Sequence, residues 1–231
     1  PLGGWSSVRL EHAAGRVARM RAAHDLDTVL ERSRSLGFLG SGSLRVQVDH
    51  ARGFAAGLGS PPRRFLDLGS GGGVPGLVLA LHWPDSEAVL LDAAERRCAF
   101  LTEAAAALGC ADRVAIVRAR AEDAGHTAEL RGRFDAVVAR GFGPPSVTAE
   151  CGAPFLVVGG RLVVSEPPED QHEGEGREVG SRWPDAGLAL LGLAVDRSWT
   201  QPYHYRSFVL ERPCPATYPR RVGVPSKRPL F

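Results

Sequence analysis

Acid and glycine alternate in the run Phe65-Leu-Asp-Leu-Gly-Ser-Gly-Gly-Gly-Val-Pro-Gly76, with Asp67, Gly69, Gly71 and Gly73 at every second position. The lead-in reads as a buried strand and the glycines as a turn free of side chains. Leu77 to Leu81 reads as a helix start. Such a turn lets a ligand lie directly on backbone N–H groups at a helix N-terminus. Five glycines in the eight residues 69–76 would otherwise cost folding entropy without return, which is the argument against a plain turn. Pro75 suits the first helical turn, where its missing N–H is no loss.

Two ligands fit the spacing. Gly71, Gly73 and Gly76 satisfy G-x-G-x-x-G, the fingerprint of dinucleotide sites. The same run satisfies D-x-G-x-G-x-G, the first motif of class I methyltransferases. Asp67 separates the two readings. It stands inside the strand, where a dehydrogenase has an apolar residue, and an acid there can hold the loop and answer the ammonium of S-adenosylmethionine. Asp92 closes the next apolar run about twenty residues on, where a carboxylate can accept hydrogen bonds from both ribose hydroxyls. The expected cofactor is therefore S-adenosylmethionine, held by Asp67, Gly69, Ser70, Gly71, Gly73, Asp92 and the adjoining Ala93. Ala121 and Glu122 follow the third expected strand and would flank the adenine; Glu122 and Asp123 read equally as solvated helix-cap acids. Arg140 ends the fourth, where it would touch the cofactor and position the acceptor. Ser70 is not the centre of a G-x-S-x-G elbow and has no histidine partner. Methyl transfer is an in-line displacement in which alignment supplies much of the acceleration. A ring nitrogen needs no base, whereas an oxygen acceptor would, so the missing dyad points to N-methylation.

These residues need a scaffold to converge. Strands are expected at Arg64–Leu68, Ala88–Asp92, Val114–Arg118, Phe134–Ala139 and Arg161–Ser165, with an alanine-rich helix over Glu95–Leu108. This succession predicts an α/β fold, a doubly wound Rossmann-like sheet with helices on both faces. Leu193–Thr200 and Arg206–Glu211 read as a closing antiparallel hairpin, the class I methyltransferase arrangement. Helical spacing over residues 8–36 and Leu44–Leu58, ended by Pro61-Pro62, predicts a helical cap over 1–60 ahead of a catalytic domain over 61–212. The polar stretch Glu169–Arg182 reads as a solvated loop or a lid. Residues 213–231 form a proline-rich basic tail that suits two roles. It can run extended along a phosphate backbone with Tyr218 and Phe231 stacking on bases, or it can wrap the domain with its charges solvated.

Composition narrows the class. Of 231 residues, 44% are hydrophobic and 23% charged, ordinary for a soluble globular protein. A net charge of +2 and a pI of about 8.6 do not by themselves call for nucleic acid. No apolar run approaches the ~18 residues of a membrane span, and Pro1-Leu2-Gly3-Gly4 lacks a signal-peptide pattern. Cys98, Cys110, Cys151 and Cys214 show no C-x-x-C spacing, which predicts reduced thiols in the cytoplasm, no disulfide framework and no metal.

The residues also match a family. Asp67-Leu-Gly-Ser-Gly-Gly-Gly-Val-Pro-Gly76 resembles the first motif of the RsmG (GidB) methyltransferases. So do Asp92 with Arg96-Arg97-Cys98-Ala99-Phe100-Leu101, the Arg120-Ala-Glu122 segment, Phe134-Asp135 leading to Arg140, and Gly159-Gly160. The ending Tyr218-Pro-Arg-Arg-Val-Gly-Val-Pro-Ser-Lys-Arg-Pro-Leu230 is similar to that family's C-terminal tail. The resemblance implies N7 methylation of one guanine in 16S ribosomal RNA. Gly69, Gly71, Gly73 and Asp92 would then bind the cofactor, Ala121-Glu122 frame adenine and Arg140 face the reaction. Arg220 and Arg221 would bind the RNA or the small ribosomal subunit.

Three departures from the family pattern fall on the acceptor side. There is no Asn-Leu-Thr segment in the N-terminal part; Ser165-Glu166-Pro167-Pro168 stands where Lys-Gly is expected; and Arg140 is followed by Gly-Phe-Gly-Pro-Pro. They suggest a paralogue that methylates a nitrogen of a small heteroaromatic metabolite, with Phe142 stacking on the ring and Glu166 disfavouring a phosphate. A cofactor-binding RNA-binding or ribosome-assembly protein without turnover is the third reading.

Overall fold

The computed structural model describes residues 25–167, 182–201 and 203–231. Most of the expected first helical segment and of the Glu169–Arg182 loop lies outside them. Helix α1 covers residues 25–35 and α2 covers Leu44–Ala56. The order then runs β1 (Arg64–Leu68), α3 (Gly76–His82), β2 (Glu87–Asp92), α4 (Glu95–Ala107), β3 (Val114–Arg118), α5 (Ala121–Ala124), β4 (Phe134–Ala139), α6 (Pro145–Gly152), a 3-10 turn at Ala153–Phe155 and β5 (Leu156–Ser165). Helix α7 (Asp185–Leu190), β6 (Leu193–Trp199), β7 (Tyr205–Leu210) and α8 (Val224–Lys227) complete it. The seven strands order as β3-β2-β1-β4-β5-β7-β6. Strands β1 to β5 are parallel, and β7 inserts antiparallel between β5 and β6. This is the doubly wound sheet and closing hairpin expected from the sequence. Strand β5 begins earlier than expected because Leu156 already pairs with Phe134 ahead of a register shift.

Side chains alternate between two cores, as the two-residue period of a strand requires. Phe65, Leu90 and Val138 face α1 to α4. Leu66, Leu91, Val137 and Leu162 face α5, α6 and the C-terminal segment. Helix α2 is fastened to the hairpin by two aromatic donors. The Trp199 Nε1–H donates to the Gly53 carbonyl at 3.0 Å and the Tyr205 hydroxyl to the His50 carbonyl at 2.7 Å. Glycine is required at 53, since a Cβ there would stand 2.1 Å from the Tyr205 hydroxyl oxygen.

The tail wraps the second face as a strap rather than running out extended. Its prolines carry no N–H and cannot join a ladder, so side chains of the domain satisfy its carbonyls. Arg131 donates to the carbonyls of Cys214, Pro215 and Tyr218 at 2.7–2.9 Å. His126 donates through Nε2 to Pro219 O at 2.7 Å. Leu230 and Phe231 pack on the core beneath, and α8 lies against α6.

Candidate functional site

The glycine turn sits at the carboxyl ends of β1, β2 and β4, the end of a doubly wound sheet where ligands bind. Two acids hold it. Asp67, fully buried in β1, accepts the Gly76 N–H through Oδ2 at 3.0 Å and so ties the end of the turn to its start. Asp92 at the end of β2 accepts the Gly71 N–H through Oδ2 at 2.9 Å and the Ala94 N–H through Oδ1 at 2.8 Å. The buried Ser70 donates through its hydroxyl to the Asp67 carbonyl at 3.0 Å, a structural bond. Ala93 is exposed beside Asp92.

Two features reserve room for a ligand. Gly71 has φ +53°, and a Cβ there would meet only the Gly69 carbonyl oxygen, at 3.7 Å. Among the described residues no side chain claims that space. Asp67 Oδ1 is buried and has no hydrogen-bond partner among the described residues, an expensive state unless a ligand completes it. Burial pushes the Asp67 carboxyl up, to about 7, with the Gly76 N–H and Arg140 opposing. Backbone donors, an open acceptor oxygen and a second acid suit a ligand bearing an amino-acid group and a ribose. Among the described residues no His/Cys/Asp/Glu cluster could hold a metal ion.

Arg140, at the end of β4, is half-buried, and its Nη2 donates to Gln47 Oε1 of α2. Burial lowers its pKa, opposed by Tyr205, Asp67 and Tyr203. His50, one turn on from Gln47, lies among aromatic rings, 4.8 Å from Tyr203 and 5.4 Å from Tyr205 between centroids. Burial, helped by Arg140, holds the imidazole well down, at about 4, so it is neutral at pH 7. Gln47, His50 and Tyr203 are absent from the sequence-based site. Their one signal was a polar pair, three residues apart, on a helix whose Val48, Ala51 and Phe54 are buried.

The other expected residues take different places. Phe142 leans over the turn, so that a Cβ on Gly69 would stand 2.7 Å from its Cδ2. It walls a small cleft at the ends of β4 and β5 with Thr148, Ser165, Glu166 and Trp183. Glu166 pairs with Arg182 and accepts the Trp183 Nε1–H at 2.6 Å, so its charge is answered within the fold. Glu122, nearly buried at the start of α5 beside the buried Ala121, accepts the Gly223 N–H through Oε1 at 3.0 Å and faces Arg120 at 3.5 Å. The acid expected at the adenine therefore also anchors the strap. Arg220 is taken up by Glu150. Its N–H and Nε donate to Oε1 at 2.8 Å and its Nη2 to Oε2 at 2.6 Å. Arg221 next to it is exposed.

Comparison with known proteins completes the description. Residues 55–179 match the family model described as rRNA small subunit methyltransferase G. The ribosomal RNA small subunit methyltransferase G of Synechococcus sp. (strain WH7803) is 36% identical over 176 residues, 73% of this chain and 66% of that one. That of Moorella thermoacetica is 34% identical, over 74% of this chain and 70% of that one. The chain thus spans about two thirds of the length of these relatives. Among solved structures, an O-methyltransferase from Bacillus cereus in complex with SAH shares the fold. Its TM-score is 0.58 at 14% identity, over 80% of this chain and 90% of that one. With its glycine turn, flanking acids and strand order, the chain belongs to the rRNA small subunit methyltransferase G family.

Proposed function

We propose that this protein transfers the methyl group of S-adenosylmethionine to a ring nitrogen of small-subunit ribosomal RNA, the N7 of a guanine. The observation that carries the reading is the glycine turn, secured by Asp67 and Asp92, open at Gly71, and with the buried Asp67 Oδ1 left unpaired among the described residues. The bound cofactor supplies a methyl carbon made electrophilic by its sulfonium. Gly69, Gly71 and Gly73 give it backbone to lie on. Asp67 would answer its ammonium, Asp92 and Ala93 would hold its ribose, and Ala121-Glu122 would frame its adenine. Arg140, aimed by Gln47, positions the acceptor on the other side, with Phe142 against the base.

The groups around Arg140 suit a nitrogen acceptor. An imidazole held at about 4 is a weak base at pH 7, and burial raises the Tyr205 phenol and keeps it protonated. Asp67 is committed to the turn through Oδ2, which accepts the Gly76 N–H. A lone pair on guanine N7 needs no proton removed, so alignment is the main demand on these residues. The guanine must be presented outside its stack. Glu166, whose negative charge pointed to a small metabolite, is neutralised by Arg182 and Trp183 and no longer argues for one.

The test is labelled methyl transfer from S-adenosylmethionine, offered side by side to 30S subunits, naked 16S rRNA and a metabolite extract. Label in rRNA, mapped to a guanine N7, is expected. Label only in the extract would establish the small-acceptor reading. Label nowhere, despite cofactor binding, would establish a non-catalytic role.

A further inference from the structure

The strap has two sides with different chemistry. Its inner side is spent on the fold. Arg220 closes on buried Glu150, the Gly223 N–H on Glu122, and the Leu230 N–H on the Ser146 hydroxyl at 2.8 Å, while Pro225 is buried. Its outer side presents Arg221, Lys227 and Arg228, all exposed, and none forms an ion pair within the described residues. Some exposed arginines elsewhere are paired. Arg97 faces Asp92 at 3.6 Å, Arg118 faces Glu95 at 2.9 Å and Arg120 faces Glu122 at 3.5 Å. Arg63, Arg96, Arg133 and Arg212 are exposed without an ion pair among the described residues but stand singly rather than in one short turn. The three free cations are held close by two linked turns, with Val224 N–H on the Arg221 carbonyl and Arg228 N–H on the Val224 carbonyl, both at 2.9 Å. No acid occurs from Arg212 to Phe231. Through Glu122, which follows β3, this basic surface is joined to the cofactor end of the sheet.

We propose that Arg221, Lys227 and Arg228 form a preformed docking surface for the phosphate backbone of the acceptor RNA; this rests on the RNA reading above. Three like charges fixed together without an acid repel one another, and a polyanion relieves that repulsion. Each phosphate they neutralise releases condensed counterions, so the contact is sequence-independent and salt-sensitive. The strap backbone is already seated, so only the side chains of these residues are ordered when RNA arrives. The surface holds the substrate on the protein, and the turn with Arg140 selects the atom.

The experiment compares the full chain with its Arg221→Gln/Lys227→Gln/Arg228→Gln variant. Binding to 16S rRNA and to 30S subunits is measured across a salt series, alongside calorimetric S-adenosylmethionine binding and thermal melting. Arg197→Gln, on β6 at the opposite edge of the sheet from β3, is the control. The triple variant is expected to lose about tenfold or more in RNA affinity. Its plot of log affinity against log salt should flatten by about 2 to 3, from roughly 0.7–0.9 per phosphate contact. Cofactor affinity and melting should stay unchanged, and Arg197→Gln should bind RNA like the wild type. An unaltered affinity and slope, in a triple variant of a wild type that binds and methylates RNA, overturns the surface alone. An equal loss in Arg197→Gln overturns its location. A wild type that binds S-adenosylmethionine but no RNA overturns the RNA reading and the surface with it.

Discussion

Arg220→Ala separates a structural arginine from an RNA ligand. Glu150 is fully buried and, among the described residues, takes its three hydrogen bonds from Arg220, at 2.6–2.8 Å. Alanine keeps the backbone N–H but removes the guanidinium, leaving a buried carboxylate with one donor. Breaking one partner of such a pair costs about 3–5 kcal/mol, because the remaining charge stays desolvated. A chain of this size shifts its melting temperature by about 2–4 °C per kcal/mol, so the expected loss is roughly 6 to 20 °C. Glu150→Gln removes the stranded charge. Adding it to Arg220→Ala should therefore recover part of the loss, and a double-mutant cycle should show coupling of up to about 3 kcal/mol. The assay is thermal or urea unfolding at fixed salt, with RNA binding measured on each variant. An Arg220→Ala protein that melts within about 2 °C of wild type yet loses RNA affinity would refute the reasoning and return Arg220 to the substrate.

Two further outcomes test the glycine turn. Gly71→Ala meets no clash within the protein but must adopt φ +53°, at a cost of about 1–2 kcal/mol. S-adenosylmethionine binding should fall by at least an order of magnitude by calorimetry while the fold persists; unchanged affinity would show that the open side of Gly71 is not used. Asp67 has its folded-state pKa raised from 3.8 to about 7 by burial, so its contribution to stability is complete below pH 3.8 and is lost as pH rises through about 7. Asp67→Asn should flatten the decline in unfolding free energy between pH 5 and 7, by up to about 1.4 kcal/mol per pH unit; parallel wild-type and variant profiles would contradict the shift.

The inner strands were legible because they are largely apolar runs, a pattern set by burial on both faces. Phe134–Ala139 falls where the sequence places it for that reason, while the edge strand Val114–Arg118, buried only at Val114, was marked by its β-branched residues instead. The glycine turn was legible because its chemistry is local, with Asp67 only nine residues from the amide it holds. The acceptor side was not. Gln47 meets Arg140 only because Trp199 and Tyr205 dock α2, and those bonds span 146 and 155 residues. Arg220 and Arg221 are identical in the sequence. They are told apart by Glu150, a lone acid of α6 seventy residues away that no local pattern marks.

That difference between neighbours explains how a basic segment can serve both fold and substrate. A loose cationic tail would lose conformational entropy on each encounter with RNA, of the order of 1–2 kcal/mol for every residue ordered. Here the ordering is completed at folding. Arg131 and His126 satisfy the proline-rich backbone, Glu150 neutralises the inward arginine, and Glu122 fixes the turn that presents the outward ones. The same Glu122 follows β3 at the end of the sheet that carries the glycine turn, so on the proposed reading the strap and the methyl-donor site share a wall. Removing the anchor should consequently harm both, whereas removing the outer cations should harm the grip on RNA alone. On the proposed reading the outer cations serve RNA, while the pairing of Arg220 with the buried Glu150 serves the fold.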